Sequence, residues 1–243
     1  MSAPAAVTFD FGNTLTTDPD WEAVREARVR HIVEWLDGRG GENPDALVQA
    51  AFESARLAGR AAWEGERRHF GAGDSLNHIF SELRVETDAD GRTALLALLE
   101  DPLPARRLLP IDGAADVLRQ LREAGLRLGI VSNLAWGPAT VMRRHLDQHG
   151  LIGFFEPEAL AFSDEVGVLK PHPAIFHAAL DALGASPQEA AHVGDLKLTD
   201  VAGAHELGMI TIRYAGIVDD PTDAPDADHV VRGYAELPGV LGL

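Results

Sequence analysis

The chain has 243 residues, 46% of them hydrophobic and 24% charged, with a formal net charge of −17 and no cysteine. This is the balance of a globular protein, long enough for one large core or for a core domain with a smaller companion. Disulfides, thiol nucleophiles and thiolate metal sites are excluded, so a metal would have to be held by oxygen or imidazole. The negative charge argues against binding a phosphate backbone, so no nucleic-acid partner is expected, but a local cation can still invert the field in one cleft and admit a small anion. No run of about 18 apolar residues is present, so no membrane span is expected. The N-terminus lacks the basic and apolar regions of a signal peptide, which predicts a cytoplasmic protein.

Val7-Thr8-Phe9 reads as a short strand that ends at Asp10, followed by Phe11, Gly12, the turn-former Asn13, Thr14 and Leu15. An acid at the carboxyl end of a strand is well placed for chemistry if the sheet is open and parallel, because ligands bind at that edge. From Trp21 to about Leu99 the apolar spacing becomes helical. Helices are predicted over 21–36, 45–63, 75–83 and 90–99, with Asp18 or Asp20 as the first N-cap and Gly38 as its stop. Trp21, Trp35 and Trp63 fall here and are expected to pack a small helical core.

Beyond Pro104 strands and helices alternate. The expected helices cover 113–124, 138–147, 174–183 and 200–207; the expected strands cover 126–131, 159–162, 191–193, 209–213 and 229–231. Such alternation implies a parallel sheet with right-handed crossovers, and the earlier helices become an insertion on the active-site side. Four strand-end or loop elements then stand together: Asp10 to Leu15; Ser132 with Asn133; Lys170 with Pro171; and Gly194-Asp195-Leu196-Lys197-Leu198-Thr199-Asp200.

This set, in this order, resembles the haloacid dehalogenase superfamily of hydrolases, and Ser163 to Phe176 is especially close to that family's third motif. The resemblance implies a Rossmann-like α/β core over residues 1–17 and 101–243, a parallel sheet with helices on both faces, and an all-helical cap over 18–100. It implies a phosphatase-like enzyme in which Asp10 attacks a small phosphorylated substrate and carries an aspartyl-phosphate. Two anions must approach one another in that step, so the implied cofactor is Mg²⁺, held by Asp10, the backbone carbonyl of Gly12 and Asp195, with Asp200 a ligand or an outer partner. Lys170 would neutralise charge on the phosphoryl oxygens and on Asp10. Ser132, Asn133 and Thr14, with nearby backbone N–H groups, would hold the transferred group.

The departure from the family pattern is Gly12, where most family phosphatases carry a second aspartate that protonates the leaving group and later activates water. Any residue supplies a backbone carbonyl, but glycine supplies no proton. Asp18, His69 and His78 are candidates to replace the acid. Haloacid dehalogenases also lack it, having tyrosine there, but they resemble Ser-x-Asn rather than Gly194-Asp195 in the fourth motif and use no metal. Phosphonoacetaldehyde hydrolases need a cap lysine, and the two lysines of this chain, Lys170 and Lys197, lie outside the cap. A phospho-ligand binding protein with weakened catalysis is the other alternative to a phosphatase. His145 and His149 are expected on a solvated helix face, and Asp219, Asp220, Asp223, Asp226 and Asp228 in an exposed loop.

Overall fold

A computed structural model describes residues 3–39, 45–103 and 108–243. In chain order come strand β1 (Ala6–Phe9), strand β2 (Thr16–Thr17) and helices α1 (Trp21–Asp37), α2 (Asp45–Glu66), α3 (Ala72–Leu83) and α4 (Ala89–Glu100). They are followed by β3 (Leu109–Pro110), α5 (Ala114–Glu123), β4 (Arg127–Ser132), α6 (Ala139–Gln148), β5 (Leu160–Phe162), α7 (Ser163–Val166) and α8 (Pro173–Leu183). The chain closes with β6 (Ala190–Gly194), α9 (Ala202–Glu206), β7 (Ile210–Tyr214), β8 (His229–Val231) and α10 (Leu237–Val240). β2 and β3, an antiparallel pair of two residues each in which Thr16 faces Pro110, leave no mark in the residue pattern, because two residues are too few to show alternation.

Six strands form one sheet in the order β5-β4-β1-β6-β7-β8, and every neighbouring pair is parallel. β1 and β6 are buried along their whole length, as strands covered on both faces must be. That explains why they read as apolar runs rather than as alternating ones. Ile175, Phe176, Ala179, Leu180 and Leu183 of α8 pack one core layer with Ala6, Val131, Ala161 and Ala190 from the sheet. α8 itself starts on an N-cap from His172 with Pro173 in its first turn, and it stops at Gly184 in the left-handed region.

The chain divides into two compact units. One comprises Met1–Asp18, Leu108–Asn133 and Arg143–Leu243; the other comprises Pro19–Arg107 and Leu134–Met142. The second unit is helical, with a core of Ile32, Leu36, Val48, Phe52, Leu76, Ile79, Leu95 and Leu99. Residues 134–142, which the sequence placed with the sheet, cluster with the helices because Trp136 stacks on Phe52 at 4.9 Å and carries the Arg28 guanidinium over its ring at 5.2 Å. The tryptophan expectation needs correcting. Trp35 stacks on Phe80 at 5.2 Å, but Trp21 is 64% exposed at the first position of α1 and packs no core.

One further expectation is overturned and another is refined. His145 is buried, and His149 lies with Nε2 2.5 Å from the Leu108 carbonyl, so these histidines are not a solvated face. The loop after β7 is exposed as expected at Asp219, Asp223, Asp226 and Asp228, but Asp220 is buried and four of the five acids are engaged by hydrogen bonds. The nearly buried Arg213 donates to both oxygens of Asp226 at 2.7 and 2.9 Å and to Asp219 at 2.8 Å. Asp220 is buried, accepting from the backbone of Lys197 at 2.7 Å and Thr222 at 2.9 Å, and Asp228 accepts from both the N–H and the hydroxyl of Thr211. A polar composition hid a loop in which four of the five carboxylates, all but the exposed Asp223, have an assigned donor.

Arg213 holds the carboxyls of Asp226 and Asp219 below the usual aspartate range through these hydrogen bonds. Stability arising from a depressed carboxyl is complete above the unfolded value of about 4 and is lost as pH falls through the folded value. Arg213→Met should therefore lower the unfolding free energy measured at pH 7 in urea titrations. The gap between wild type and variant should narrow below about pH 4.

Candidate active site

The sheet order reverses direction at β1: β4 and β5 lie on one side of it, β6, β7 and β8 on the other. Strand ends diverge at such a switch point and leave a crevice beyond their carboxyl termini. Asp10 follows β1 directly, and its backbone N–H is held by the Val193 carbonyl of β6 at 2.8 Å. The chain then turns at Asn13, whose φ of 52° lies in the left-handed region that asparagine tolerates. Ser132 is the last residue of β4, and Asp195 follows β6. Asp10, Gly12, Asn13, Ser132, Asn133, Lys170, Asp195, Leu196, Thr199 and Asp200 line one cleft of about 210 Å³, all within the sheet-containing unit.

Lys170 occupies the centre of this cluster. Its Nζ is 2.6 Å from Asp10 Oδ1, 2.6 Å from Asp200 Oδ1 and 2.8 Å from the Val131 carbonyl. Ser132 Oγ donates to the same Asp10 Oδ1 at 3.0 Å. Asp200 receives two donors on each oxygen: Lys170 and His192 Nε2 (3.1 Å) on Oδ1, and the Leu196 N–H (3.0 Å) and Thr199 Oγ1 (3.2 Å) on Oδ2. A carboxylate offers about four lone-pair sites, so its capacity is filled. The π-helical turn Lys197–Val201 places Asp200 there, and Gly194 makes room for it. A Cβ at Gly194 would lie 2.3 Å from Asp200 Cγ.

Charge in the cleft is unbalanced. Burial opposes ionisation of Asp200, but Lys170 and the His192 hydrogen bond outweigh it and hold the carboxyl far below its usual range. Burial likewise opposes the Lys170 ammonium, and the charges of Asp10 and Asp200 more than restore it. Burial raises the Asp10 carboxyl despite Lys170. Asp195 is pushed up to about 7 by burial and then by the neighbouring charges of Asp10 and Asp200. Three carboxylates share one ammonium, so the cleft calls for further positive charge.

The predicted residues fall into two groups. Asp10, Gly12, Ser132, Asn133, Lys170, Asp195 and Asp200 meet at the cleft; Thr14 does not. It is fully buried, its Oγ1 has no hydrogen-bond partner, and its carbonyl accepts from the Tyr234 hydroxyl. The turn at Asn13 carries it beneath the loop. Asn133 spends its amide on the Lys170 backbone, accepting from its N–H at 2.7 Å and donating to its carbonyl at 3.3 Å, which fixes the lysine rather than a ligand. Among the candidate replacements for the acid, Asp18 belongs to this unit but does not line the cleft. His69 and His78 belong to the helical unit, where His78 Nε2 lies 2.8 Å from Ser54 Oγ. Sequence reasoning passed over Asn13, whose Nδ2 is 3.4 Å from Asp195 Oδ2, as well as Thr199 and His192. A histidine inside the apolar run Ala190 to Val193 was the available signal for the last.

Among the described residues no three Asp, Glu or His side chains converge closely enough to enclose a metal by themselves. The sheet and the strand-end cleft define a Rossmann-like α/β protein with an aspartate at the end of its central strand. The sequence matches the family model described as haloacid dehalogenase-like hydrolase over residues 4–208, and the chain belongs to that family. The glyceraldehyde 3-phosphate phosphatase of Methanopyrus kandleri is 40% identical over 209 residues, covering 86% of this chain and 82% of the relative. The phosphoserine phosphatase of Thermus thermophilus is 31% identical over 195 residues, covering 79% and 72%. Among solved structures, a HAD phosphatase from Thermococcus onnurineus aligns with a TM-score of 0.68 at 25% identity, covering 100% of this chain and 98% of that one.

The two cleft glycines should respond differently to a methyl group. Gly194→Ala meets Asp200 and should destabilise the protein by about 1–3 kcal/mol. A Cβ at Gly12 meets nothing within 4 Å, and its φ is outside the left-handed region, so Gly12→Ala should leave the melting temperature nearly unchanged. Thermal unfolding of the two variants checks both outcomes.

Proposed function

We propose that this chain is a Mg²⁺-dependent phosphatase that hydrolyses a small phosphorylated metabolite through an aspartyl-phosphate on Asp10. The observation that carries the reading is the single buried ammonium, Lys170, held 2.6 Å from Asp10 in a cleft otherwise lined by acids and small polar groups. Family membership makes the chain a hydrolase, and its relatives from Methanopyrus and Thermus are phosphatases of three-carbon monoesters. A cleft of about 210 Å³ is below the roughly 300–1,000 Å³ of sites for drug-sized ligands, and so suits a phosphoryl group with a few further atoms.

The residues present fit a hard divalent cation. The donor set is all oxygen, the charge imbalance is negative, and Mg²⁺ characteristically takes one or two carboxylates and keeps several waters, so three enclosing acids are not required. Asp10, the Gly12 carbonyl and Asp195 would hold it. Asp200 would act from outside the coordination shell, because both its oxygens are already occupied. When bound, the ion offsets the charge of the carboxylates and of the phosphoryl oxygens.

The remaining work falls to the side chains. Ser132 and Lys170 both engage Asp10 Oδ1, which leaves Oδ2 to attack phosphorus. The new Asp10–phosphorus bond forms as the ester oxygen departs with its electron pair, and water then attacks the same phosphorus and releases Asp10. Lys170, shared with Asp200, stays charged throughout and stabilises the anion that develops beside it. Gly12 offers the departing oxygen no proton.

Three outcomes test this reading. Asp10→Asn should reduce turnover of phosphate monoesters by about 10³-fold or more while the protein stays folded; near-wild-type turnover would refute the covalent route. Calorimetric titration should show Mg²⁺ binding that Asp195→Asn weakens, and chelation should abolish activity. Gly12→Asp should accelerate alkyl phosphates more than aryl phosphates, by roughly tenfold or more in the ratio, because a poor leaving group gains most from a proton donor. Equal gains would show that another group already supplies the proton.

A further inference from the structure

Behind the cleft, β6 carries a polar side chain that the proposed chemistry does not use. His192 pairs in register with Thr8 of β1, is 1% exposed, and presents its ring to Phe176 edge-on at 5.1 Å. It does not line the cleft. Its Nε2 is 3.1 Å from Asp200 Oδ1, and its Nδ1 is 2.9 Å from Thr8 Oγ1. An ionised carboxylate only accepts, so Nε2 carries the hydrogen. Burial favours the neutral ring, so Nδ1 is then the acceptor, and the Thr8 hydroxyl, which also lies 3.4 Å from the Ala191 carbonyl, donates to it at the shorter 2.9 Å. The result is a directed chain of hydrogen bonds from Thr8 to His192 to Asp200, meeting on Asp200 Oδ1 the bond from Lys170, whose ammonium also reaches Asp10.

A valine or leucine would suit this buried strand position and pack against Phe176 without desolvating two ring nitrogens. The imidazole instead brings one of the two donors that fix Asp200 Oδ1. The other donor on that oxygen is Lys170 itself, so without His192 the remaining protein donors, the Leu196 N–H and the Thr199 hydroxyl, hold only Oδ2.

We propose that His192 is a positioning residue: its Nε2–H fixes Asp200 Oδ1, and through that shared oxygen it fixes Lys170 Nζ against Asp10. The role needs a donor at Nε2 and no contact with substrate. Its kinetic consequence rests on the phosphatase reading, but its structural one does not. Outer hydrogen-bond partners of this kind are worth about 10–100-fold in activity.

The two-lysine composition supplies a direct probe. With lysine labelled by ¹³C and ¹⁵N, the side-chain resonances of Lys170 and Lys197 are the two to be followed, the second an internal control. His192→Leu should shift the Lys170 signals while leaving those of Lys197 in place. His192→Gln, whose amide can donate to Asp200, should return them toward the wild-type position. With a phosphate monoester, kcat of the Leu variant should fall roughly tenfold or more with KM changed less than about threefold, and the Gln variant should recover most of the loss.

Unmoved Lys170 signals in folded His192→Leu would overturn the proposal, and so would shifted signals with unchanged kcat or a Gln variant no better than Leu. If His192→Leu does not fold, Thr8→Val takes its place. It keeps the strand shape and removes the donor to Nδ1, so Lys170 should move in the same comparison, and an unmoved signal again overturns the proposal. A wild type that turns over no phosphate ester would refute the phosphatase reading alone, because the resonances still decide the placement of Lys170.

Discussion

The structure depends on one desolvated ammonium. A lysine head group taken out of water costs several kcal/mol unless its protons and charge are met inside the protein. Lys170 has three N–H donors, and Asp10, Asp200 and the Val131 carbonyl meet them at 2.6, 2.6 and 2.8 Å. These acceptors come from the ends of β1 and β4 and from the turn after β6. The ammonium therefore ties together segments far apart in sequence, and losing any acceptor would leave a buried charge partly unmet. The same contacts that make the lysine tolerable in the fold keep a positive charge at the strand end where Asp10 emerges.

Around that constraint each backbone feature has a definite task. The parallel order with β1 in the middle delivers Asp10 between Ser132 and Asp195. Asn133 fastens the Lys170 main chain from both sides, so the long side chain departs from a fixed point. Gly194 gives up its side-chain space to Asp200. Gly12 is different, since no atom lies within 4 Å of where its Cβ would stand, so packing does not require a glycine there.

Much of this was legible in the residues. Strand and helix alternation after Pro104 gave the α/β class, because regular βαβ units write their periods plainly, and Asp10, Ser132, Lys170 and Asp195 stood out as polar residues where apolar runs stop. Thr14 misled, because a motif residue near a nucleophile need not face it; a single left-handed residue at Asn13 turned it inward. The acids after β7 read as exposed, which four of the five are, but composition could not show that Asp220 is buried or that a buried Arg213 pairs with Asp219 and Asp226. His192 was legible only as a polar exception inside the apolar run Ala190 to Val193. A histidine in a buried strand has no meaning until its partners, Thr8 next door and Asp200 eight residues on, are known in three dimensions. Residues 134–142 joined the helical unit through the stacking of Trp136, a long-range contact that leaves no trace in local spacing.

The scarcity of lysine also decides how this molecule meets reagents and surfaces. Of its two lysines, Lys170 is 2% exposed and engaged on all three protons, while Lys197 is the accessible one, with its Nζ on the Thr222 carbonyl at 3.0 Å. Amine-directed cross-linkers, dyes and supports would therefore find one lysine side chain to react with, beside the loop that begins at Asp220. The rest of the positive surface is guanidinium, which such reagents leave untouched, so attachment through lysine would orient every molecule in the same way.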